Sequence, residues 1–302
     1  MNFVPALTFL NLPSATDFAS ADAAVFGIPY DCARDAIRFG SRQGPNAIRH
    51  ASVLTAKLIR DANPNPLEVL NVVDAGNVVV DLEDIGETFS RIESAMDDIL
   101  RGGCVPVAVG GDGAVSLPQM RALHRAHGPF ALLHFDAHTD AWSVSEEIPY
   151  TNANQFTHGV VENLLDMDAA VHVGVRGPVN ADSITERTRE LGYRVIGFSE
   201  YRKIGADALL AQLHEIVGDR PVFVCYDMDF FDPSVAPGVA TPTPGGAMPE
   251  EGLALMRGLR GLNVIGVDIN TMTPAHDPSG ATAILGAGLL AEALGVLAEN
   301  RF

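Results

Sequence analysis

Short apolar runs recur along the chain at residues 23–28, 69–73, 105–109, 130–135, 171–175, 194–198, 222–226 and 264–268. Within each run the apolarity is continuous rather than alternating, the pattern of strands covered on both faces in a parallel sheet. Residues 46–60, 86–101, 114–127, 207–217 and 249–259 carry apolar side chains at helical spacing between those runs. That alternation predicts an α/β fold with helices packed over a mostly parallel sheet. Eight strands fit an open sheet and a closed barrel equally well, so the periodicity leaves both standing. The loop-rich stretches 141–155 and 233–248 each follow a strand directly and lie inside the alternation. Ligands of open parallel sheets bind beyond the carboxyl ends of strands, so these loops are expected to frame a site. With no internal repeat, low-complexity tract or linker composition, a single domain over residues 1–302 is expected.

Charge narrows the partners. Against 20 basic residues stand 38 acidic ones, a formal charge of -18, a field that repels nucleic acid and anionic lipid surfaces and admits small cations and divalent metals. No run approaches the roughly 18 to 20 uninterrupted apolar residues of a membrane span, and the apolar N-terminus lacks a basic start. Cys32, Cys104 and Cys225 are far apart and show no CxxC pairing. Cys104 and Cys225 sit in apolar runs, where a thiol behaves as a small hydrophobe, and a reducing cytoplasm is the expected location.

The chemistry lies at the ends of two of the predicted strands. In HFDAHTDAW, Asp136, His138 and Asp140 occupy alternate positions just past residues 130–135; in CYDMDFFDP, Asp227 and Asp229 do the same past residues 222–226. Alternate residues of extended backbone share a face. Either motif alone is weak, since Asp is common at loop starts and helix N-caps. Together they bring four carboxylates and an imidazole to two strand ends. Carboxylates about 4 Å apart repel by roughly 4 kcal/mol at an effective dielectric near 20, so the cluster needs cations or protons. Oxygen ligands with a single imidazole suit manganese, with nickel, iron, cobalt and zinc as alternatives. Water held between two such ions loses a proton near neutral pH.

GGDGAVSLP from Gly110, HFDAHTD from His134, YDMDFFDPSVAPGVATPTPGG from Tyr226 and GIPYDCARDAIRFGSRQGPNAIR from Gly27 resemble, in order and spacing, the signature segments of the ureohydrolases, the arginase and agmatinase family. RFGSRQGPNAIR and DAHTD are closest to the agmatinase branch. The resemblance implies a three-layer α/β/α fold with an open eight-stranded parallel sheet, and up to two divalent ions, manganese or nickel. It also implies attack of an activated water on a guanidinium carbon with release of urea. Carried onto this chain, Asp136 and Asp227 would bridge the metals, His138 and Asp229 would complete one ion's shell, and Asp140 would ligate the other and orient the nucleophile. His158, in THG, resembles the family's proton-shuttling histidine, the alternative being a loop histidine. The substrate would be a small cationic guanidino or amidine compound, and the assembly a trimer or hexamer of like or unlike chains.

Two positions depart from the family pattern. Gly113 stands where GGDHS carries a metal-ligating histidine, which leaves the first ion only Asp136, Asp140 and Asp227. Thr271 stands where the family has the glutamate that grips the guanidinium, and a hydroxyl cannot make the charge-assisted bond a carboxylate makes. Three readings therefore stay open: an active hydrolase of an altered guanidine, amidine or biguanide-like substrate with a weakened site; a structural or regulatory subunit of a hetero-oligomeric ureohydrolase; and, last, a metallophosphoesterase, which lacks support from any later Asn-His-Glu segment.

Overall fold

A computed structural model of the chain describes residues 7–32, 34–60, 65–178 and 182–300. In chain order the principal elements are β1 (Ala23–Gly27), α1 (Gly44–Arg60), α2 (Pro66–Val69), β2 (Val72–Asn77), α3 (Ile85–Arg101), β3 (Val105–Val109), α4 (Ser116–His127), β4 (Phe130–Phe135) and α5 (Gln155–Val161). There follow β5 (Leu165–Val175), α6 (Asp182–Glu190), β6 (Arg194–Gly197), α7 (Phe198–Ile204), α8 (Ala206–Val217), β7 (Val222–Asp227), α9 (Pro249–Arg257), β8 (Val264–Asn270) and α10 (Ala281–Glu299).

Among the described residues eight strands form one sheet, in the order β2-β1-β3-β8-β7-β4-β5-β6. Every pairing is parallel. The edge strands β2 and β6 have one neighbour each, so the sheet is open and the barrel is excluded. Both faces are buried. Along β4, Ala131, Leu133 and Phe135 join one core, while Phe130 and Leu132 join the other; β7 divides in the same way, with Val222, Val224 and Tyr226 on one side and Phe223 and Cys225 on the opposite one. This is why the strands read as unbroken apolar runs.

Three local expectations are revised. The strand expected at 69–73 is β2, Val72–Asn77, because Asn65 accepts a hydrogen bond from Leu67 N–H and caps a helical turn over Pro66–Val69. The apolar run 194–198 ends as a strand at Gly197, and Phe198 begins α7. Gln155, expected at the end of the loop-rich stretch 141–155, begins α5, which also carries His158. Ala281–Glu299 is long and apolar enough to cross a membrane by length and composition, but most of it is buried. It packs against α1 and α9 as a core helix.

Candidate metal centre

The strand order brings together motifs that are distant in sequence. Strands β3, β8, β7 and β4 are consecutive neighbours at the middle of the sheet, with Phe135 beside Tyr226 and Asp227 beside Asn270. Because all four run the same way, their carboxyl ends deliver Asp112 and Gly113, Thr271, Asp227 and Asp229, and Asp136 to Asp140 to one edge. The turn after β7 is fixed by Asp229 N–H donating to Asp227 Oδ1 at 2.7 Å. The turn after β4 is fixed by His138 N–H donating to Asp136 Oδ1 at 2.6 Å. Ala137 N–H donates to Asp229 Oδ1 at 3.0 Å and ties the two turns to each other.

His138 Nδ1 lies 3.2 Å from Asp136 Oδ1 and 3.0 Å from Asp229 Oδ2. Its Nε2 is 3.3 Å from the Thr243 hydroxyl. Burial opposes charge on His138, yet the Asp229 and Asp136 carboxylates outweigh it and hold its pKa well above the usual range. Burial, and then the Asp136 carboxylate, pushes Asp229 up to about 6. Asp140 and Asp227 are pushed well above ordinary carboxylates, first by burial and then by their acidic neighbours. A cluster that crowds carboxylates until they retain protons is one that a cation relieves.

Donor atoms of Asp136, His138 and Asp229 lie within 4.8 Å of one another, and so do those of His134, Asp136 and Asp140. Asp136 Oδ2 is buried without a hydrogen-bond partner, although His134 Nε2 approaches to 3.0 Å without the alignment of a bond. An unsatisfied buried carboxylate oxygen is costly, and a divalent ion beside it would satisfy it. The oxygen and imidazole donors present therefore fit a divalent metal.

A cavity of about 300 Å³ opens above the cluster. His138, Asp140, Asp227, Asp229 and Thr271 line it, and both loops expected to frame the site do so, through Trp142 and Ser143 on one side and Ala240 and Thr241 on the other. Asp227 thus shares the cavity but belongs to neither compact ligand group. Thr271 adopts a φ of 59° and Asp140 one of 49°; positive φ is unusual for a β-branched residue, and such backbone strain gathers at functional sites. His158 is placed elsewhere. It is not among the residues lining the cavity; its Nε2 contacts the Pro149 carbonyl at 2.8 Å, its Nδ1 faces Glu162 at 3.3 Å, and its ring packs on Tyr150.

Four contributors were missed by the sequence reading. Gln155 Nε2 donates to Asp140 Oδ2 at 2.6 Å. His134 and His172 meet through their Nδ1 atoms at 2.8 Å beneath Asp136, both buried, and burial holds His134 down to about 3, so it is neutral. Arg176, just past β5, donates to the carbonyls of Asp229 at 2.7 Å and Thr243 at 2.8 Å. None of these carries a local motif; only the HFD run beginning at His134 hinted at a role.

An open, all-parallel eight-stranded sheet with a carboxylate and imidazole cluster at its carboxyl edge defines an α/β protein of the arginase fold. Residues 21–295 match the arginase family. The chain is 37% identical over 294 residues to a guanidinopropionase of Pseudomonas aeruginosa, covering 97% of this chain and 92% of that protein. It is 36% identical over 290 residues to a mitochondrial agmatinase of Gallus gallus, covering 96% and 85%. Among solved structures, proclavaminate amidino hydrolase from Streptomyces clavuligerus superposes with a TM-score of 0.91 at 32% identity, covering 98% of each chain. The chain belongs to the arginase family, and its named relatives are amidinohydrolases.

Proposed function

We propose that this chain is a divalent-metal-dependent hydrolase that cleaves a C–N bond in a small cationic guanidino or amidine compound and releases urea. The observation that carries the reading is the Asp136, His138 and Asp229 group at the foot of the cavity. Manganese or nickel is the proposed occupant, and such an ion, when bound, polarises the substrate and lowers the pKa of water towards neutrality.

The chain's own residues do the rest. Asp227 and Asp140, with Asp35 also on the wall, give the cavity a negative field, and no lysine or arginine is among its described lining residues. That field draws in a cation. Trp142 lines the cavity, where its ring can meet a planar cation, and the unpartnered Thr271 hydroxyl can accept one neutral hydrogen bond where a carboxylate would grip harder. Burial raises the proton affinity of Asp140, and its carboxylate is placed to accept the proton that the attacking water gives up and return it to the departing amine. The relatives' names, guanidinopropionase, agmatinase and proclavaminate amidino hydrolase, support the same class. We further propose a single-domain cytoplasmic enzyme working in an oligomer.

Urea release by the metal-loaded chain, assayed against guanidino acids, agmatine-like amines and biguanides, tests the reading. Release from at least one class, abolished by chelation and restored by the ion, is expected. Silence towards all of them, with urea appearing only when an intact paralogous chain is added, would favour a supporting subunit instead.

A further inference from the structure

The two compact ligand groups share Asp136 but differ in what else they offer. In the first, His138 and Asp229 both face the cavity. In the second, Asp140 is already engaged: Gln155, itself buried, donates Nε2–H to Asp140 Oδ2 at 2.6 Å. An N–H aimed at that oxygen supplies the positive end a cation would supply, and it repels a cation approaching the same lone pair. Reversing the amide would set Gln155 Oε1 against Asp140 Oδ2, two acceptors that only a proton or a cation between them could reconcile. Gln155 Oε1 has no partner, so among the described residues the side-chain amide is held by its bond to Asp140.

The nitrogen of the second group is also committed. His134 Nε2 stands 3.0 Å from Asp136 Oδ2. Without the alignment of a hydrogen bond, the short approach still favours a proton on Nε2, since two electron-rich atoms at that distance repel. His172 then donates across the 2.8 Å contact between the two Nδ1 atoms, which leaves His172 Nε2 as the unpartnered acceptor observed. A protonated Nε2 cannot ligate a metal.

Space is closed as well. A Cβ on Gly113 would lie 2.7 Å from the Asn152 carbonyl oxygen, 2.7 Å from Gln155 Nε2 and 3.0 Å from Asp140 Oδ2. The volume a side chain at 113 would enter is filled by the loop and by Gln155.

We propose that Gln155 takes the place beside Asp140 that a second cation would otherwise occupy, so that this chain accepts one divalent ion, at Asp136, His138 and Asp229. The inference rests on the metal-dependent reading above and specifies its stoichiometry. Gln155 is a positioning residue that holds Asp140 towards the cavity without a metal.

Equilibrium titration of the chelator-stripped full chain with Mn(II) alone, with ions per chain counted by elemental analysis, tests it. Wild type is expected to hold one ion. Gln155→Glu keeps the shape but replaces the donor by a second carboxylate facing Asp140, and it is expected to hold two ions, the second at least about tenfold tighter than any second binding by wild type. Gly113→His alone is expected to gain no ion and to melt lower. Should Gln155→Glu fail to fold, as judged by fluorescence of the single Trp142, Gln155→His serves in its place, again with two ions expected. Two ions in wild type, or one in a folded Gln155→Glu or its substitute, overturns the proposal while leaving the metal-dependent reading intact. No ion in wild type removes that reading and this inference with it.

Discussion

Nδ1 of His138 and Oδ2 of Asp229 lie 3.0 Å apart, joining the turn after β4 to the turn after β7. The Asp229 and Asp136 carboxylates raise His138 well above its usual range against the effect of burial, and burial pushes Asp229 up to about 6, so the contact favours a proton. An ion bound between the same atoms must displace that proton. Metal affinity is therefore expected to weaken by about tenfold per pH unit as pH falls below the raised His138 range, and more steeply below about 6, where Asp229 also takes up a proton. Calorimetric titration with Mn(II) at pH 5 and pH 7.5, in buffers of different ionisation enthalpy, reads both the affinity and the protons released. An affinity constant across that range would contradict the shared proton.

Arg176 acts on the same site from behind. Its guanidinium bridges the carbonyls of Asp229 and Thr243 and stacks over the Phe198 ring at 5.2 Å, so it sets where the Asp229 turn sits. Lysine cannot reproduce that fork. Arg176→Lys is expected to fold and to weaken metal binding about 10 to 100-fold, the usual effect of losing a residue that orients a ligand. Binding isotherms that overlay wild type would show that the turn needs no such support.

Arg49 is purely architectural. From α1 its Nε and Nη2 bond both oxygens of Asp74 on β2 at 2.9 Å, and Nη2 also donates to the Gly76 carbonyl. Both partners are buried, and Asp74 also accepts the Phe9 N–H at 2.8 Å. Arg49→Met leaves a buried carboxylate without its counter-charge and is expected to cost about 3 to 5 kcal/mol in urea unfolding, whereas the double change with Asp74→Leu recovers much of that. A single variant as stable as wild type would mean that water reaches Asp74.

The strands were legible because burial on both faces leaves an unbroken apolar signature; Phe130–Phe135 and Val105–Val109 have the bounds the pattern predicts. Helix α10 escaped because it is apolar nearly all round, so it lacks the one-sided spacing by which helices are recognised. The ligand candidates of DAHTD and DMD were legible from alternation past a strand end. What lay beyond reach was contact across loops: Gln155 finds Asp140 only because residues 141–154 fold back over Gly113, and Arg176 finds Asp229 only through the strand order. The contacts of His158 were out of reach for the same reason, since its neighbours Pro149, Tyr150 and Glu162 are set by that loop and by α5.

The most direct measurement is the metal content of the purified, unchelated chain beside Asp229→Ala, by elemental analysis and Mn(II) titration. At least one ion per wild-type chain is expected, together with loss of about 100-fold or more in affinity for the variant. A wild-type chain free of metal and indifferent to its addition, or an Asp229→Ala variant with an unchanged load, would contradict the centre assigned to these strand ends.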